Sequence, residues 1–274
     1  MKVDATLADD LSDEALAVAI AHYREHGYAR LGRVVAEEML AGLRARADDL
    51  MLGRVTIDGL FFQHDAPSGR YEDLENGLGW VGPSLGYRKL EKLERDDRFR
   101  ALVEHPVARR VVGSIIEGPV TLYRAVLFAK AKDGSSPLPW HQDGGRFWGL
   151  DRAPTLQIWT ALDDCELTAG CVEVLPRSHL EGLATPLGGV VPENLVQDRA
   201  AGARALALPA QAGEMLLLHN HVWHRSGRNT SGHPRRAFTV CYMSAATRCL
   251  RQKRAPREFV RVFEGEAESI RSRG

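Results

Sequence analysis

One segment of the chain combines residue types that suit a metal site: the His-Gln-Asp run that begins at His141. Side chains two positions apart on an extended strand lie on the same face, so the imidazole of His141 and the carboxylate of Asp143 are predicted to lie side by side. A third donor must come from elsewhere, and His219, His221 and His224 occur together further along. Two histidines and one carboxylate form the ligand set of non-haem Fe(II) oxygenases, so these residues predict an iron site.

A pair of arginines follows these histidines across a turn-rich loop. Arg235 and Arg236 open an apolar strand eleven residues after His224. A guanidinium can bind a carboxylate through two parallel hydrogen bonds, which the ammonium of a lysine cannot match. A metal site followed by such an arginine is the arrangement that a 2-oxoglutarate-dependent oxygenase needs. The keto acid chelates the iron at one end and must be anchored at the other.

The composition narrows the class of protein further. The 274 residues include 36 Lys and Arg against 36 Asp and Glu, and this zero net charge argues against binding of nucleic acid by phosphate neutralisation. No apolar run reaches the length of about 18 residues that a membrane span needs. Residues 1–10 are acidic and lack the order of a signal peptide. We therefore expect a small-molecule substrate and no nucleic acid, membrane or obligate protein partner.

The cysteines are predicted to be free thiols of a cytoplasmic protein. Their spacing includes no CxxC pair, and four are too few for a disulfide scaffold of this length. We assign them no metal or redox role. They are Cys165, Cys171, Cys241 and Cys249.

We expect a single domain over residues 1–274, built in three parts. Residues 12–118 are predicted to be helical, residues 120–247 to form a strand-rich core, and residues 248–274 to form a charged, solvated helix or tail. Residues 52–88 are rich in glycine with scattered aromatic side chains. They predict a long irregular loop that folds over a pocket, although an ordinary surface excursion is the alternative.

Capping signals and apolar spacing predict three helices in the first part. Ser12 is a candidate N-cap, and Gly27 a candidate C-terminal residue, of a helix that ends near His26. Apolar residues at spacings of three and four predict a second helix over residues 40–50 and a third over residues 99–116.

From residue 120 the apolar period changes to two. Strands that follow one another without helices between them pair antiparallel, which predicts a sandwich or barrel. The predicted strands are residues 120–128, 156–162, 171–175, 214–219 and 237–243.

Several ordered motifs resemble the phytanoyl-CoA dioxygenase family over roughly residues 15–250. The resemblance implies a mainly β fold with flanking helices, a double-stranded β-helix (cupin-like jelly roll), and the use of Fe(II), 2-oxoglutarate and O2. One departure occurs, because Ala169-Gly-Cys-Val stands where the family often has Asn-Gly-x-Leu, and we expect it to alter only a turn. The motifs are residues 139–145 (PWHQDGG), 158–164 (IWTALDD), 169–179 (AGCVEVLPRSH) and 224–231 (HRSGRNTS), with shorter matches at 25–31 (EHGYARL) and 122–130.

The resemblance also implies roles for individual residues at the iron. His141, Asp143 and His224 match the ligands, and His224 is preferred to His219 and His221 because it directly precedes the family's x-Ser-Gly-x-Asn run. The latter two histidines are interpreted as structural. In halogenating relatives a small residue replaces the carboxylate, so the intact Asp143 favours hydroxylation or another oxidation.

For 2-oxoglutarate, the resemblance implies that Arg235 pairs with the distal carboxylate, with Ser226 beside it. Arg236 stays the alternative, because adjacent strand residues face opposite ways. The remaining implied contacts to 2-oxoglutarate are Trp159, Val126 and Lys89, with Lys92 the alternative to Lys89.

Three further side chains near these motifs have two interpretations. Phe147 and Trp148 follow the metal motif and line the substrate entrance or pack in the core. His179 lies in a predicted tight turn and is interpreted as a hydrogen-bonding brace.

The sequence therefore predicts an Fe(II)- and 2-oxoglutarate-dependent oxygenase that oxidises a small or medium-sized organic metabolite and releases succinate and CO2. A non-catalytic metal- or ligand-binding jelly roll is the first alternative. A zinc hydrolase that uses the same ligands is the second, but no residue is nominated as its general base and it does not explain Arg235.

Overall fold

The computed structural model of the protein describes residues 11–132, 135–251 and 257–265. The acidic segment at residues 1–10 lies outside the described residues, as does most of the charged C-terminal part. Of the helices within those ranges, none has the length and apolar character needed to cross a bilayer.

Helices occupy the first part of the chain, as predicted, and two short ones occur later. The Ser12 side chain accepts a hydrogen bond from the backbone N–H of Ala15, and Gly27 ends the first helix with a φ of 83°, as its capping residues predicted. The described helices are α1 (Asp13–His26), α2 (Glu37–Met51), α3 (Asp97–Val103), α4 (Pro106–Ile115), α5 (Glu193–Asp198) and α6 (Ala201–Arg204).

The prediction of one continuous helix over residues 99–116 was wrong. The segment forms two helices, α3 and α4, that meet before Pro106. The proline ring disfavours helical geometry at the residue before it, and His105 there adopts an extended ψ of 138° while its side chain caps α4.

The strands form two antiparallel sheets. The described strands are β1 (Tyr28–Arg33), β2 (Phe61–His64), β3 (Tyr87–Glu91), β4 (Val120–Lys130), β5 (Leu138–Gln142), β6 (Leu156–Ala161), β7 (Val172–Leu175), β8 (Gly189–Val190), β9 (Leu206–Leu208), β10 (Glu214–His219), β11 (Trp223–Ser226), β12 (Arg235–Ser244) and β13 (Arg261–Phe263). The larger sheet has the order β1-β10-β6-β12-β4-β3-β2, with β13 also paired to β4, and the smaller sheet has the order β8-β5-β11-β7-β9.

Two segments have more regular structure than predicted. The loop predicted over residues 52–88 contains β2 and the start of β3, which extend the larger sheet beside β4. The prediction of a solvated helix or tail after residue 248 was wrong at β13, which pairs with the start of β4 and buries Phe263. A three-residue strand with one buried ring is too short to show as a periodic pattern.

Both faces of the larger sheet are covered by other parts of the protein. Side chains alternate along each strand, so they pack in turn against one covering layer and the other. On β6, Leu156 and Ile158 pack with the helices of the first part, whereas Trp159 and Ala161 pack toward the smaller sheet. Two facing antiparallel sheets braced by helices on one side confirm the predicted double-stranded β-helix class. The residues between the sheets are those singled out for chemistry.

Candidate metal centre

Two neighbouring strands of the smaller sheet bring the three predicted ligands together. His141 on β5 lies directly opposite His224 on β11 in the antiparallel register, and their ring centroids are 3.9 Å apart. Asp143 follows the end of β5, where its backbone N–H donates to the carbonyl of Asn220 at 2.8 Å. One donor atom from each of the three side chains lies within 4.8 Å of the others, and no other such group of three occurs among the described residues.

Backbone carbonyls orient both imidazoles. The Nδ1 atom of His141 lies 2.9 Å from the carbonyl oxygen of Pro139, and that of His224 lies 3.0 Å from the carbonyl oxygen of Val222. A carbonyl oxygen only accepts, so each Nδ1–H is the donor, and Nε2 is the ring atom of each histidine that can bind a metal. Histidine ligands of metals are commonly oriented in this way.

Two side chains of the larger sheet hold the carboxylate of Asp143. Nη2 of Arg124 donates to its Oδ2 at 3.0 Å, and Nε2 of Gln157 donates to the same oxygen at 2.8 Å. In the sheet register, Cys241 of β12 lies opposite Arg124 of β4 on one side and opposite Gln157 of β6 on the other. The two donors therefore stand in one row across three neighbouring strands. Neither was singled out in the sequence as a site residue.

The surroundings fix the charges of the ligands. Burial opposes ionisation of Asp143, but the Arg124 guanidinium, the two imidazoles and the Gln157 amide hold the pKa of its carboxyl well below the usual range. Burial, with His224 beside it, lowers the pKa of His141 to about 3. The site therefore presents an ionised carboxylate with an uncharged imidazole at His141.

This donor set fits a ferrous ion. A cluster of two imidazole nitrogens and one ionised carboxylate suits a divalent cation, and three ligands leave coordination positions open. A zinc ion accepts the same donors, so the three residues alone do not select between the two metals.

A cationic end of the cavity lies further along the larger sheet. Arg235, at the start of β12, is 3% exposed and borders the same cavity as the three ligands. Its Nη2 donates to the carbonyl of Gly170 at 2.7 Å, and its Nε lies 3.5 Å from that of Ala169. Within the described residues its hydrogen bonds go only to backbone carbonyls, so its charge is not matched by a carboxylate.

The neighbouring Arg236 faces the other way. Its guanidinium binds Asp163 through Nε at 2.8 Å and Nη2 at 3.0 Å, and Nη1 binds Asp48 of α2 at 2.8 Å. It does not border the cavity. The geometry therefore favours Arg235 over Arg236 for a carboxylate of a ligand in this cavity.

Of the other residues predicted to contact 2-oxoglutarate, two border the cavity and two do not. Ser226 and Trp159 border it, whereas Val126 lies opposite Thr239, which borders it, in the register of β4 and β12. Lys89 pairs with Glu91, and its Nζ lies 5.9 Å from the ring centroid of Phe128. Its charge is thus already neutralised.

Lys92, the alternative to Lys89, lies in a left-handed conformation after β3, with a φ of 68°. Like Lys89, it does not border the cavity in the part of the chain that the structure describes. Arg88, next to Lys89, does.

Two further cations at this end were missed in the sequence. Lys130 lies directly opposite Arg235 in the register of β4 and β12, and Nζ donates to the carbonyl of Ser136 at 3.1 Å. Nε of Arg88 lies 4.0 Å from the carboxylate of Asp65. Burial, with Arg235 and Arg88 nearby, lowers the pKa of Lys130 to about 6. Only the strand register places these charges together, and a single sequence does not give that register.

The aromatic residues after the metal motif separate. Phe147 is 64% exposed, whereas Trp148 is buried and stacks on Tyr123 at 4.0 Å between ring centroids. The guanidinium carbon of Arg124 lies 4.9 Å from the ring centroid of Trp148. Of the two, Trp148 therefore lies next to the metal-binding residues, through Arg124.

Three other histidines form a separate cluster. The ring centroids of His179 and His219 are 4.8 Å apart, and those of His219 and His221 are 5.5 Å apart. Nε2 of His179 lies 3.1 Å from the carbonyl oxygen of Arg24 in α1, which agrees with its interpretation as a brace.

A family model and the sequences of known proteins match this chain, and both point to the same family. The model of the phytanoyl-CoA dioxygenase family matches residues 23–237. Phytanoyl-CoA dioxygenase domain-containing protein 1 of Mus musculus is 30% identical over 182 residues, which are 63% of this chain and 62% of that protein. The match therefore spans less than two thirds of this relative. Peroxisomal phytanoyl-CoA dioxygenase of the same species is 21% identical and covers 88% of this chain and 74% of its own.

Solved structures share the fold. EctD from S. alaskensis, crystallised with 2-oxoglutarate and 5-hydroxyectoine, superposes with a TM-score of 0.69 over 96% of this chain and 90% of its own, at 18% identity. The epimerase SnoN, in complex with Fe3+, alpha ketoglutarate and nogalamycin RO, gives a TM-score of 0.66 over 93% of this chain and 95% of its own, at 20% identity.

Proposed function

This chain belongs to the phytanoyl-CoA dioxygenase family, and we propose that it is an Fe(II)- and 2-oxoglutarate-dependent oxygenase. Its reaction hydroxylates a small or medium-sized organic metabolite, with release of succinate and CO2. The observation that carries the proposal is the shared cavity. The cluster of His141, Asp143 and His224 lies in it together with Arg235, whose charge no carboxylate matches among the described residues. A metal site alone does not explain that arginine.

In this proposal His141, Asp143 and His224 hold the iron, and O2 is the second co-substrate. The chemistry that ferrous iron supplies when bound is the coupling of 2-oxoglutarate decarboxylation to oxidation of the substrate by O2. Arg124 and Gln157 keep the Asp143 carboxylate ionised and oriented, through their hydrogen bonds to Oδ2.

The co-substrate is positioned by the opposite end of the cavity. Arg235 binds the distal carboxylate of 2-oxoglutarate through its guanidinium, with the Ser226 hydroxyl and the Trp159 ring on the adjoining walls. The guanidinium of Arg235 is buried, and this burial strengthens the ion pair. We place the reaction in the cytoplasm, because all four cysteines are free in the structure.

The test is succinate formation from 2-oxoglutarate in the presence of Fe(II), ascorbate and O2. We expect turnover by the wild type, and loss of at least about 100-fold in Asp143→Ala, because an absent ligand removes much of the metal affinity. The control is Asp151→Ala, which changes a carboxylate that pairs with Arg248 outside the cavity. Equal turnover in wild type and Asp143→Ala contradicts the proposal.

Replacement of iron by zinc separates the oxygenase from a hydrolase. In the oxygenase, zinc binds the same residues but succinate formation stops, because zinc has no redox chemistry. Anaerobic Fe(II) with 2-oxoglutarate is expected to give a visible charge-transfer band that the zinc form lacks.

A further inference from the structure

Several N–H groups of the Arg124 guanidinium make no hydrogen bond within the described residues. Its side chain is 16% exposed, and its one hydrogen bond within the described residues joins Nη2 to Oδ2 of Asp143. Its Nε is buried and has no partner there. A guanidinium carries five N–H donors, and a buried donor without a partner is costly. The arginine thus presents unused donors beside the metal ligands.

The position of Arg124 separates it from the co-substrate end. On β4 it lies six residues from Lys130, which is opposite Arg235. Side chains six positions apart share one face of a strand, and about 3.3 Å per residue places their Cα atoms roughly 20 Å apart. The two arginines therefore approach the cavity from positions that lie far apart along the strands, and the proposed function uses only Arg235 for the distal carboxylate of 2-oxoglutarate.

The side chains around the cavity carry an excess of positive charge. Five cationic and two anionic side chains border it. Glu173 neutralises Arg225 at 2.8 Å, and Asp65 lies beside Arg88. The cations that remain are Arg124, Lys130 and Arg235, against Asp143 alone.

A ferrous ion and the two carboxylates of 2-oxoglutarate cancel each other's charges. Even with Lys130 uncharged, one positive charge stays uncompensated. A buried charge without a counter-charge is unfavourable, so the site is incomplete without a further anion.

We propose that Arg124 binds a carboxylate of the primary substrate, so that this oxygenase acts on an organic acid. This inference rests on the proposed function and specifies its substrate class. Only Nη2 of Arg124 makes a hydrogen bond within the described residues, and its guanidinium carbon lies 4.9 Å from the ring centroid of Trp148. Substrate bound there lies next to the metal ligands, because Arg124 itself contacts Asp143.

The experiment measures binding of simple acids against their uncharged amides. Butanoate, hexanoate and octanoate, each paired with its amide, are titrated anaerobically into protein saturated with Fe(II) and 2-oxoglutarate. Tryptophan fluorescence and the visible band report binding, since Trp148 stacks on Arg124. We expect the wild type to bind at least one acid about tenfold to a hundredfold more tightly than its amide, the range for a hydrogen-bonded ion pair.

Three variants test whether Arg124 carries this preference. Arg124→Gln is expected to lose it while the affinity for 2-oxoglutarate changes less than threefold, since Gln157 still holds Asp143. Arg124→Lys is expected to keep part of it. Arg225→Gln is the matched control, because it removes a cavity arginine whose charge Glu173 already neutralises, and we expect it to leave the preference unchanged.

Several results overturn the inference. These are equal binding of acids and amides by the wild type, a preference that survives in Arg124→Gln, or a parallel loss of 2-oxoglutarate affinity in that variant. The last would mean that Arg124 serves the co-substrate or only positions Asp143. If the wild type forms no visible band, the proposed function fails instead. The same titration in metal-free protein then decides the acid preference separately.

Discussion

Two adjacent arginines show how one residue step changes the chemistry available to the protein. Arg235 enters the cavity and donates to backbone carbonyls, whereas Arg236 is held by Asp163 and Asp48 on the opposite face of the larger sheet. Residue type alone does not distinguish them. They differ in the direction of the side chain, and only Arg236 is already paired with carboxylates.

Substitution of each arginine by lysine measures that difference. Arg235→Lys is expected to weaken 2-oxoglutarate binding by about 10-fold to 100-fold, because one ammonium replaces a two-pronged contact. Arg236→Lys is expected to change this affinity less than threefold and to lower the free energy of unfolding instead. Anaerobic calorimetric titration and urea unfolding give both quantities. Similar affinities for 2-oxoglutarate in the two variants would contradict the assignment of Arg235.

Lys130 is expected to take up a proton when 2-oxoglutarate binds. Burial, Arg235 and Arg88 lower its pKa to about 6 in the folded protein, Asp65 and Cys165 favour its charged form, and its ordinary value is 10.5. Between pH 6 and 10.5, Lys130 is therefore protonated in the unfolded chain and mostly unprotonated in the folded protein. The free energy of unfolding consequently increases as pH rises through this window. A dianion bound near Lys130 has the opposite effect on its pKa and raises it.

We expect 2-oxoglutarate binding at neutral pH to take up a proton at Lys130. Titration calorimetry in two buffers of different ionisation enthalpy measures this uptake, with the protein saturated with metal. Lys130→Met should remove most of it. The same uptake by both proteins would show that the proton goes elsewhere.

Among the elements, the strands that form apolar runs were predicted and the short ones that carry the ligands were not. β6, β10 and β12 lie within a few residues of their predicted bounds, because burial on both faces makes most of their positions apolar. β11 has the sequence Trp-His-Arg-Ser, which contains no such run. His141 and Asp143 were found from their spacing, whereas His224 was selected only through the family resemblance. The hydrogen bonds of Arg124 and Gln157 to Asp143 needed the register across three strands.

A turn between the sheets supports the co-substrate end. Gly170 has a φ of 70°, and its carbonyl accepts from Arg235. A Cβ atom at Gly170 would lie 2.5 Å from the carbonyl oxygen of Gly227, which is a backbone atom and cannot rotate away. This close approach requires glycine for steric reasons as well as conformational ones.

Gly170→Ala is therefore expected to lower both stability and 2-oxoglutarate affinity. Gly32→Ala is the control, because Gly32 has a similar φ of 76° and open space where its Cβ would be. Gly32→Ala should cost only the left-handed backbone penalty of about 1–2 kcal/mol and leave affinity unchanged. Urea unfolding and 2-oxoglutarate titration compare them. Equal costs with unaltered affinity in both would refute the close-contact argument.

At the scale of the molecule, a neutral net charge conceals strong local imbalance. The 36 basic and 36 acidic residues cancel, yet the cavity between the sheets holds an excess of cations. Buried and half-buried histidines gather at a second place, around the start of β11. Composition therefore argued against a nucleic-acid binder that relies on phosphate neutralisation, but it gave no sign of a site for anions.

The histidine cluster is expected to make the protein sensitive to acid. Burial, with His179 and His221 nearby, lowers the pKa of His219 to about 3, and burial also lowers the pKa values of those two neighbours. Below pH 6.5 the unfolded chain binds protons that the folded cluster does not. Stability is therefore lost as pH falls toward 3, by at most about 1.4 kcal/mol per pH unit for each such histidine.

Urea unfolding between pH 8 and pH 5 checks this expectation. His219→Gln should show a shallower loss of stability with acid than the wild type. His233→Gln, at an exposed position, is the control and should follow the wild type. A variant of His219 with the wild-type slope would place the acid sensitivity elsewhere.

In the proposed function, three side chains hold one ferrous ion in reach of a co-substrate anchored by Arg235. The most direct measurement is the visible absorbance of anaerobic protein titrated with Fe(II) and 2-oxoglutarate. We predict a band that needs both additions, saturates at one iron per chain, disappears in His224→Ala and persists in His221→Ala. No band in the wild type, or a full band in His224→Ala, would contradict the account.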